Sequence, residues 1–204
     1  MNFLEVKNTI LGASLPGISA QKELAPFNRV EYTYEEIKEK KAQQASVLIT
    51  LYQKSGGVYF PLILRSEYGG FHSGQIALPG GKKEVYDHTD EETALRETYE
   101  EIGLNKNTLH IIKKLSPLYI SISNFYIHPF IAFYENSLIQ FQSSPNEVQK
   151  IIEIELEQFL FGTKIVNKQI SDVYFQEVPA FQYGSITIWG ATAMILNEFK
   201  HLFK

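Results

Sequence analysis

Between Pro79 and Gly103 the chain carries its most restrictive stretch. A Pro-Gly-Gly turn and a polar connection lead into Asp90-Glu91-Glu92-Thr93-Ala94-Leu95-Arg96-Glu97-Thr98-Tyr99-Glu100-Glu101-Ile102, closed by Gly103. Thr89 with Glu92 three positions on forms a capping box, and Gly103 is a C-terminal stop, so the spacing predicts a helix over 90–102. At about 100° per residue, Leu95, Thr98, Tyr99 and Ile102 share one arc and Glu97, Glu100 and Glu101 another. Carboxylates at offsets of three and four repel, by about 0.2–0.5 kcal/mol per pair on an exposed helix. A fold that contains this helix must therefore set positive charge against it. Arg96 and nearby lysines are one source. A hard divalent cation, which takes oxygen ligands, is the other. A glutamate-rich helix is also the ordinary make-up of a solvated face, and the helix alone does not decide between the two. The turn before it favours a ligand, because glycine lets backbone approach closely and offers carbonyl oxygens.

The flanking sequence supplies strands for this helix to pack on. Ser46–Tyr52 is rich in β-formers, Lys54-Ser55-Gly56-Gly57 is a turn, and Val58–Arg65 reads as the second arm of a hairpin, with Pro61 suggesting an edge or a bulge. His72–Leu78 reads as a short strand between loops. Strand-like runs follow at 109–114, 119–122, 126–134 and 151–156, and 191–203 reads as an amphipathic helix. Trp189 reads as a core anchor. Strands and helices mix without regular βαβ spacing, so the expected class is α+β, a mixed sheet flanked by helices. Residues 1–44 are more polar and carry a short solvated helix around 32–41. They are taken as an N-terminal extension packed on a domain spanning 45–204.

Composition narrows the function. With 204 residues, 44% of them hydrophobic, the chain is long enough for one domain with a real core plus an extension. A net charge of −4 argues against a general nucleic-acid or anionic-membrane binder. The absence of cysteine excludes disulfides, thiolate nucleophiles and zinc–thiolate sites. No basic segment followed by a long apolar run opens the chain, and no run approaches the roughly 18 apolar residues of a membrane helix. A cytoplasmic protein is expected.

The run from Gly81 to Leu104 resembles the Nudix box, whose second half reads Arg-Glu-aliphatic-x-Glu-Glu-x-Gly-aliphatic. Arg96, Glu97, Glu100, Glu101, Gly103 and Leu104 match, and Thr98 stands at an aliphatic position. The stretch from Gly81 to Arg96 is one residue longer than the pattern and lacks its first glutamate, for which Asp87 or Asp90 is available. That length, with Arg65-Ser66 and His72-Ser73-Gly74-Gln75 ahead of Pro79-Gly80-Gly81, resembles the coenzyme A diphosphatase branch. Leu78 replaces the usual aromatic of that branch, and Gly69-Gly70 stands where many members have Leu-Arg. Pro145-Asn146-Glu147-Val148 and Trp189–Ala193 are weaker matches, and the whole resemblance runs over roughly 45–200.

The resemblance implies an α/β/α sandwich and Mg²⁺- or Mn²⁺-dependent cleavage of a diphosphate linked to another moiety. It implies Glu97 and Glu101 as main metal ligands, Glu100 as a third, and the carbonyl of Gly80 or Gly81 completing the set. Arg96 would brace helix to loop through Asp87 or Asp90, since its planar fork grips a carboxylate at two points. The base that takes a proton from water is Glu97 or, from a later loop, Glu147. Arg65, His72 and Gln75 are the candidate substrate contacts. The implied partner is a small nucleotide: coenzyme A or an acyl derivative, or else ADP-ribose or a dinucleoside polyphosphate. A non-catalytic nucleotide-binding module is the remaining alternative, set against the three retained glutamates. A homodimer contact through residues 1–44 stays open.

Overall fold

The structure, a computed structural model, describes residues 1–66, 74–136, 138–170 and 176–204. Its helices are α1 (Phe3–Gly12), α2 (Ile18–Lys22), α3 (Tyr34–Glu39), α4 (Asp90–Ile102), α5 (Leu156–Gly162) and α6 (Gly190–His201). Its strands are β1 (Gln43–Lys54), β2 (Gly57–Arg65), β3 (Ile76–Ala77), β4 (Gly80–Lys82), β5 (Leu109–Lys114), β6 (Leu118–Ile120), β7 (Phe125–Tyr134), β8 (Val148–Glu155), β9 (Lys164–Ile170), β10 (Gln176–Tyr183) and β11 (Ile186–Trp189).

β1 and β7 run parallel at the centre of a mixed sheet ordered β3-β2-β1-β7-β5, with β4 added to β1, β6 to β7 and β8 to β2. Strand side chains alternate between faces, and both central strands use that period to feed two cores. Leu48 and Tyr52 of β1 with Phe130 and Ala132 of β7 meet Ala94 and Ile102 of α4. Ile49 and Leu51 with Ile131 and Phe133 meet α1, α5 and α6 on the opposite face. The result is the expected α/β/α sandwich. Fully burying one such side chain contributes about 1.5–3 kcal/mol. Burial therefore outweighs the mutual repulsion of the α4 glutamates and holds that helix in place.

Several local expectations need correction. Pro61 is not at a bulge, since the irregularity falls at Leu64/Arg65; it pairs with Glu153 of β8 and lies past the last β1–β2 pair at Tyr59, so on its other side it stands at a local edge. Only Ile76–Ala77 of the expected 72–78 strand is extended among the described residues. The Thr89 side chain accepts the Glu92 N–H, but the Glu92 carboxylate accepts from the His88 N–H, so the capping box is half formed. Tyr99 points outward, 56% exposed, because the buried stripe of α4 runs through Ala94, Thr98, Glu101 and Ile102. Thr98 is tolerated at its aliphatic position because its hydroxyl donates to the Ala94 carbonyl at 2.7 Å. Trp189 is half-buried, with the Lys168 ammonium 5.5 Å from its ring, while Phe181 and Ile188 take the core positions.

Residues 1–44 hold three helices rather than one. Val6, Ile10 and Leu24 join the same core as β1 and α6. Lys113 donates to the carbonyls of Ile10 and Ala13, at 2.6 and 2.8 Å, closing the C-terminal end of α1. Gln21 of α2 donates to Glu198 of α6 at 2.7 Å. The three-stranded β9–β10–β11 sheet also lay outside the expectation. No helix among the described residues is long and apolar enough to cross a membrane.

Candidate active site

The Pro79-Gly80-Gly81 turn sits where side chains do not fit. β4 pairs antiparallel with β1, Val47 opposite Gly80 and Ser46 opposite Gly81. Gly80 has φ +151°, and a Cβ there would run into the Ser46 carbonyl and the Val47 backbone. A Cβ on Gly81 would lie 2.5 Å from the Glu97 carboxylate. Glycine at both positions thus lets the turn press between β1 and the glutamate face of α4.

Two ion-pair systems hold that face. Arg96 reaches back to the loop: its Nε and Nη2 donate to the Asp87 carboxylate at 3.0 and 2.8 Å, and Nη2 also donates to the Lys82 carbonyl at 2.9 Å. Its Nη1 donates to Glu97 Oε1 and Glu100 Oε2, each at 2.8 Å. Asp87 also accepts from the Thr93 hydroxyl and the Glu84 N–H. The Arg96 guanidinium, chiefly, holds the Asp87 carboxyl down at about 2. Asp87 is thus the brace partner. Asp90, the other candidate, pairs instead with Lys83 at 3.1 Å and with Lys114, from β5, at 3.3 Å.

The second system surrounds Glu101, which is only 1% exposed. Its Oε2 accepts the Gly80 N–H at 2.8 Å and its Oε1 lies 3.3 Å from Arg65 Nη2. Burial pushes the Glu101 carboxyl up to about 7; Glu97 and Glu147 add to the rise, and Arg65 and the Gly80 N–H oppose it. Burial likewise raises Glu97, against the pull of Arg96.

Arg65 stands at the β2–β8 irregularity, a device that re-aims a side chain, and its Nη2 donates to the Gly80 carbonyl at 2.8 Å. Glu147 is exposed, on a loop hooked to the end of α4: the Ser144 N–H donates to the Glu101 carbonyl and the Ser66 N–H to the Glu147 carbonyl. The Gln75 carbonyl accepts the Arg65 N–H at 3.0 Å. His72 lies outside the described residues. Sequence reasoning missed the inward turn of Arg65, the Thr93 support of Asp87 and the 144–147 hook. The signals available were a bulge-compatible strand end, a threonine three residues before Arg96, and a Ser-Pro-Asn turn.

Of the candidate residues, Arg65, Gly80, Glu97 and Glu101 come together, with Glu147 close enough to raise both glutamates and Glu100 on the outer side of Arg96. The donor set is all oxygen and carboxylate-rich, which suits Mg²⁺ or Mn²⁺. A buried carboxylate raised to about 7 also gains from any cation beside it. As they stand, the described residues bring no three acidic or histidine side chains to one metal-binding point, since the arginines share the carboxylates.

The NUDIX domain profile matches residues 42–173. The chain is 32% identical over 128 residues to the mouse (Mus musculus) peroxisomal coenzyme A diphosphatase NUDT7, covering 62% of this chain and 52% of that one. It is 34% identical over 158 residues to the probable nudix hydrolase C6G9.05 of Schizosaccharomyces pombe, covering 76% and 54%. The chain thus spans about half the length of these two relatives. Among solved structures, a MutT/nudix family protein from Enterococcus faecalis, 14% identical, aligns over 97% of this chain and 73% of its own with a TM-score of 0.50, a likeness of fold. With the profile covering more than half its length and the turn, brace and glutamate helix assembled on a mixed sheet, the chain belongs to the Nudix family.

Proposed function

We propose that the protein is a metal-dependent hydrolase that cleaves the diphosphate bond of coenzyme A or an acyl-coenzyme A, releasing 3′,5′-ADP and (acyl) 4′-phosphopantetheine. The observation that carries the hydrolase reading is the meeting of Glu97, Glu101 and Arg65 at the Gly80-Gly81 turn. The coenzyme A assignment rests on the Arg65-Ser66 and His72-Ser73-Gly74-Gln75 stretch and on the likeness to the mouse diphosphatase. In this reading residues 45–204 form the catalytic domain and 1–44 an extension packed on it.

Glu97, Glu100, Glu101 and the Gly80 carbonyl would hold Mg²⁺ or Mn²⁺. When bound, that ion supplies charge neutralisation for the diphosphate oxygens and a more acidic water. The chain's own residues do the rest. Arg96, locked on Asp87, Lys82 and two glutamates, fixes the helix against the turn. A Glu147 carboxylate oxygen, exposed at the rim, takes the proton of the attacking water, with Glu97 as the nearer alternative. Arg65, His72 and Gln75 contact the substrate.

A second reading keeps the chemistry and changes the substrate to ADP-ribose or a dinucleoside polyphosphate, because Gly69-Gly70 replaces the Leu-Arg pair of the branch. The test is product chromatography after incubation with Mg²⁺ or Mn²⁺ and, separately, coenzyme A, acetyl-coenzyme A, ADP-ribose and diadenosine polyphosphates. Selective release of 3′,5′-ADP is expected. Preference for ADP-ribose or a dinucleotide would move the protein to the second reading. No turnover on any of them would favour a non-catalytic nucleotide-binding module.

A further inference from the structure

We propose that Arg65 competes with the divalent cation for the same oxygens, so that metal loading must displace its guanidinium. The inference rests on the proposed metal-dependent function and deepens it. Its ground is one nitrogen. Arg65 Nη2 lies 2.8 Å from the Gly80 carbonyl oxygen and 3.3 Å from Glu101 Oε1. A backbone carbonyl and a carboxylate oxygen converging on one positive centre is the donor arrangement a hard cation takes. The other Glu101 oxygen is committed to the Gly80 N–H, so Oε1 is the oxygen left for either competitor.

The placement is built into the backbone. The β2–β8 irregularity at Leu64/Arg65 turns the side chain inward, and hydrogen bonds from the Arg65 N–H to Gln75 and from the Ser66 N–H to Glu147 pin the strand end on both sides. The guanidinium side chain is 22% exposed, which leaves it a path out, whereas the Glu101 side chain at 2% has none. The two ends of the pair thus differ: the glutamate is fixed and the arginine can leave. A fixed guanidinium keeps a buried carboxylate compensated, and a departing one carries a planar fork suited to phosphate. Substrate contact and charge compensation are then successive duties of one side chain.

The test is Mn²⁺ binding to the full chain without substrate, read by electron paramagnetic resonance of the free ion. Arg65→Gln keeps a donor for the Gly80 carbonyl but removes the competing charge. It should bind Mn²⁺ about tenfold tighter than wild type, equivalent to about 1.4 kcal/mol. Arg65→Lys, which keeps the charge, should stay near wild type. A second readout needs no variant to fold. The chain has three arginines, so the Arg65 Nε–H resonance is readily separated, and Mg²⁺ should accelerate its exchange with water. Unchanged or weaker Mn²⁺ binding in Arg65→Gln, or an Arg65 resonance indifferent to Mg²⁺ while metal still binds, overturns the competition alone. Failure of wild type and variant alike to bind Mn²⁺ overturns the metal-dependent function and the competition with it.

Discussion

The Asp87–Arg96 brace gives a stability signal of predictable size and sign. Asp87 lies 4% exposed at its side chain and accepts from Arg96 Nε and Nη2, the Thr93 hydroxyl and the Glu84 N–H. Its carboxyl is held at about 2 against an ordinary 3.8. At about 1.4 kcal/mol for each factor of ten in proton affinity, the charged form contributes about 2 kcal/mol to the folded state at neutral pH. A carboxyl whose folded value is depressed stabilises above its unfolded value and loses that contribution as pH falls towards the folded one. Asp87→Asn preserves shape and removes the charge. Urea unfolding at pH 7 should show a loss of about 2 kcal/mol, or about 4–8 °C in Tm for a chain of this length. The gap between wild type and variant should shrink steadily from pH 5 to pH 3. The double variant with Arg96→Ala should lose less than the sum of the singles, because each single removes the same pair. A gap that stays constant with pH would refute the electrostatic account and leave only lost packing.

Three further outcomes test the site. Glu101→Gln should keep the fold and lower metal-dependent turnover at least about 100-fold, since even partners of metal ligands typically contribute 10–100-fold; an unchanged rate would falsify its assignment as a ligand. Glu147→Gln should slow the chemical step by about 10²–10⁴-fold with Mn²⁺ affinity retained, and wild-type turnover would remove it from the mechanism. Gly80→Ala and Gly81→Ala should separate fold from function. The first meets backbone of β1 at a positive φ and should lower Tm sharply, whereas the second meets only the flexible end of Glu97 and should cost activity with little change in Tm. Equal effects on Tm would sink that distinction.

The helix at 90–102 was legible because caps, period and stop agree locally, and the central strands because β1 and β7 are dense in β-formers. What escaped was decided by tertiary contacts. Asp87 and Asp90 both lie within reach of Arg96 by sequence spacing, and it is the pairing of Asp90 with Lys83 and with Lys114 from β5 that takes it out of competition for Arg96. Three glutamates share one arc of α4, and nothing local tells which lies under the turn; packing buried Glu101 and left Glu100 at 47% exposure. α1 was missed although Asn2 and Glu5 form a reciprocal cap, a signal present in the first five residues. β9 was missed because its charged and polar residues suit an exposed edge strand rather than a buried run.

The solvated-face alternative for the glutamate helix meets its difficulty at Glu101. A residue on a solvated face keeps its water, and this carboxylate has none to speak of at 1% exposure. Among the described residues, five carboxylates stand around the turn, Asp87, Glu97, Glu100, Glu101 and Glu147, with two guanidiniums, Arg65 and Arg96. Arg96 is saturated by three of the five, and Glu101, raised chiefly by its burial, has Arg65 and the Gly80 N–H as partners. A site in which carboxylates outnumber guanidiniums, lined by oxygen and glycine, is one where a divalent cation gains from binding. The repulsion visible along the helix is thus relieved by arginine at its outer side and left standing at its inner side, where a diphosphate would need the cation.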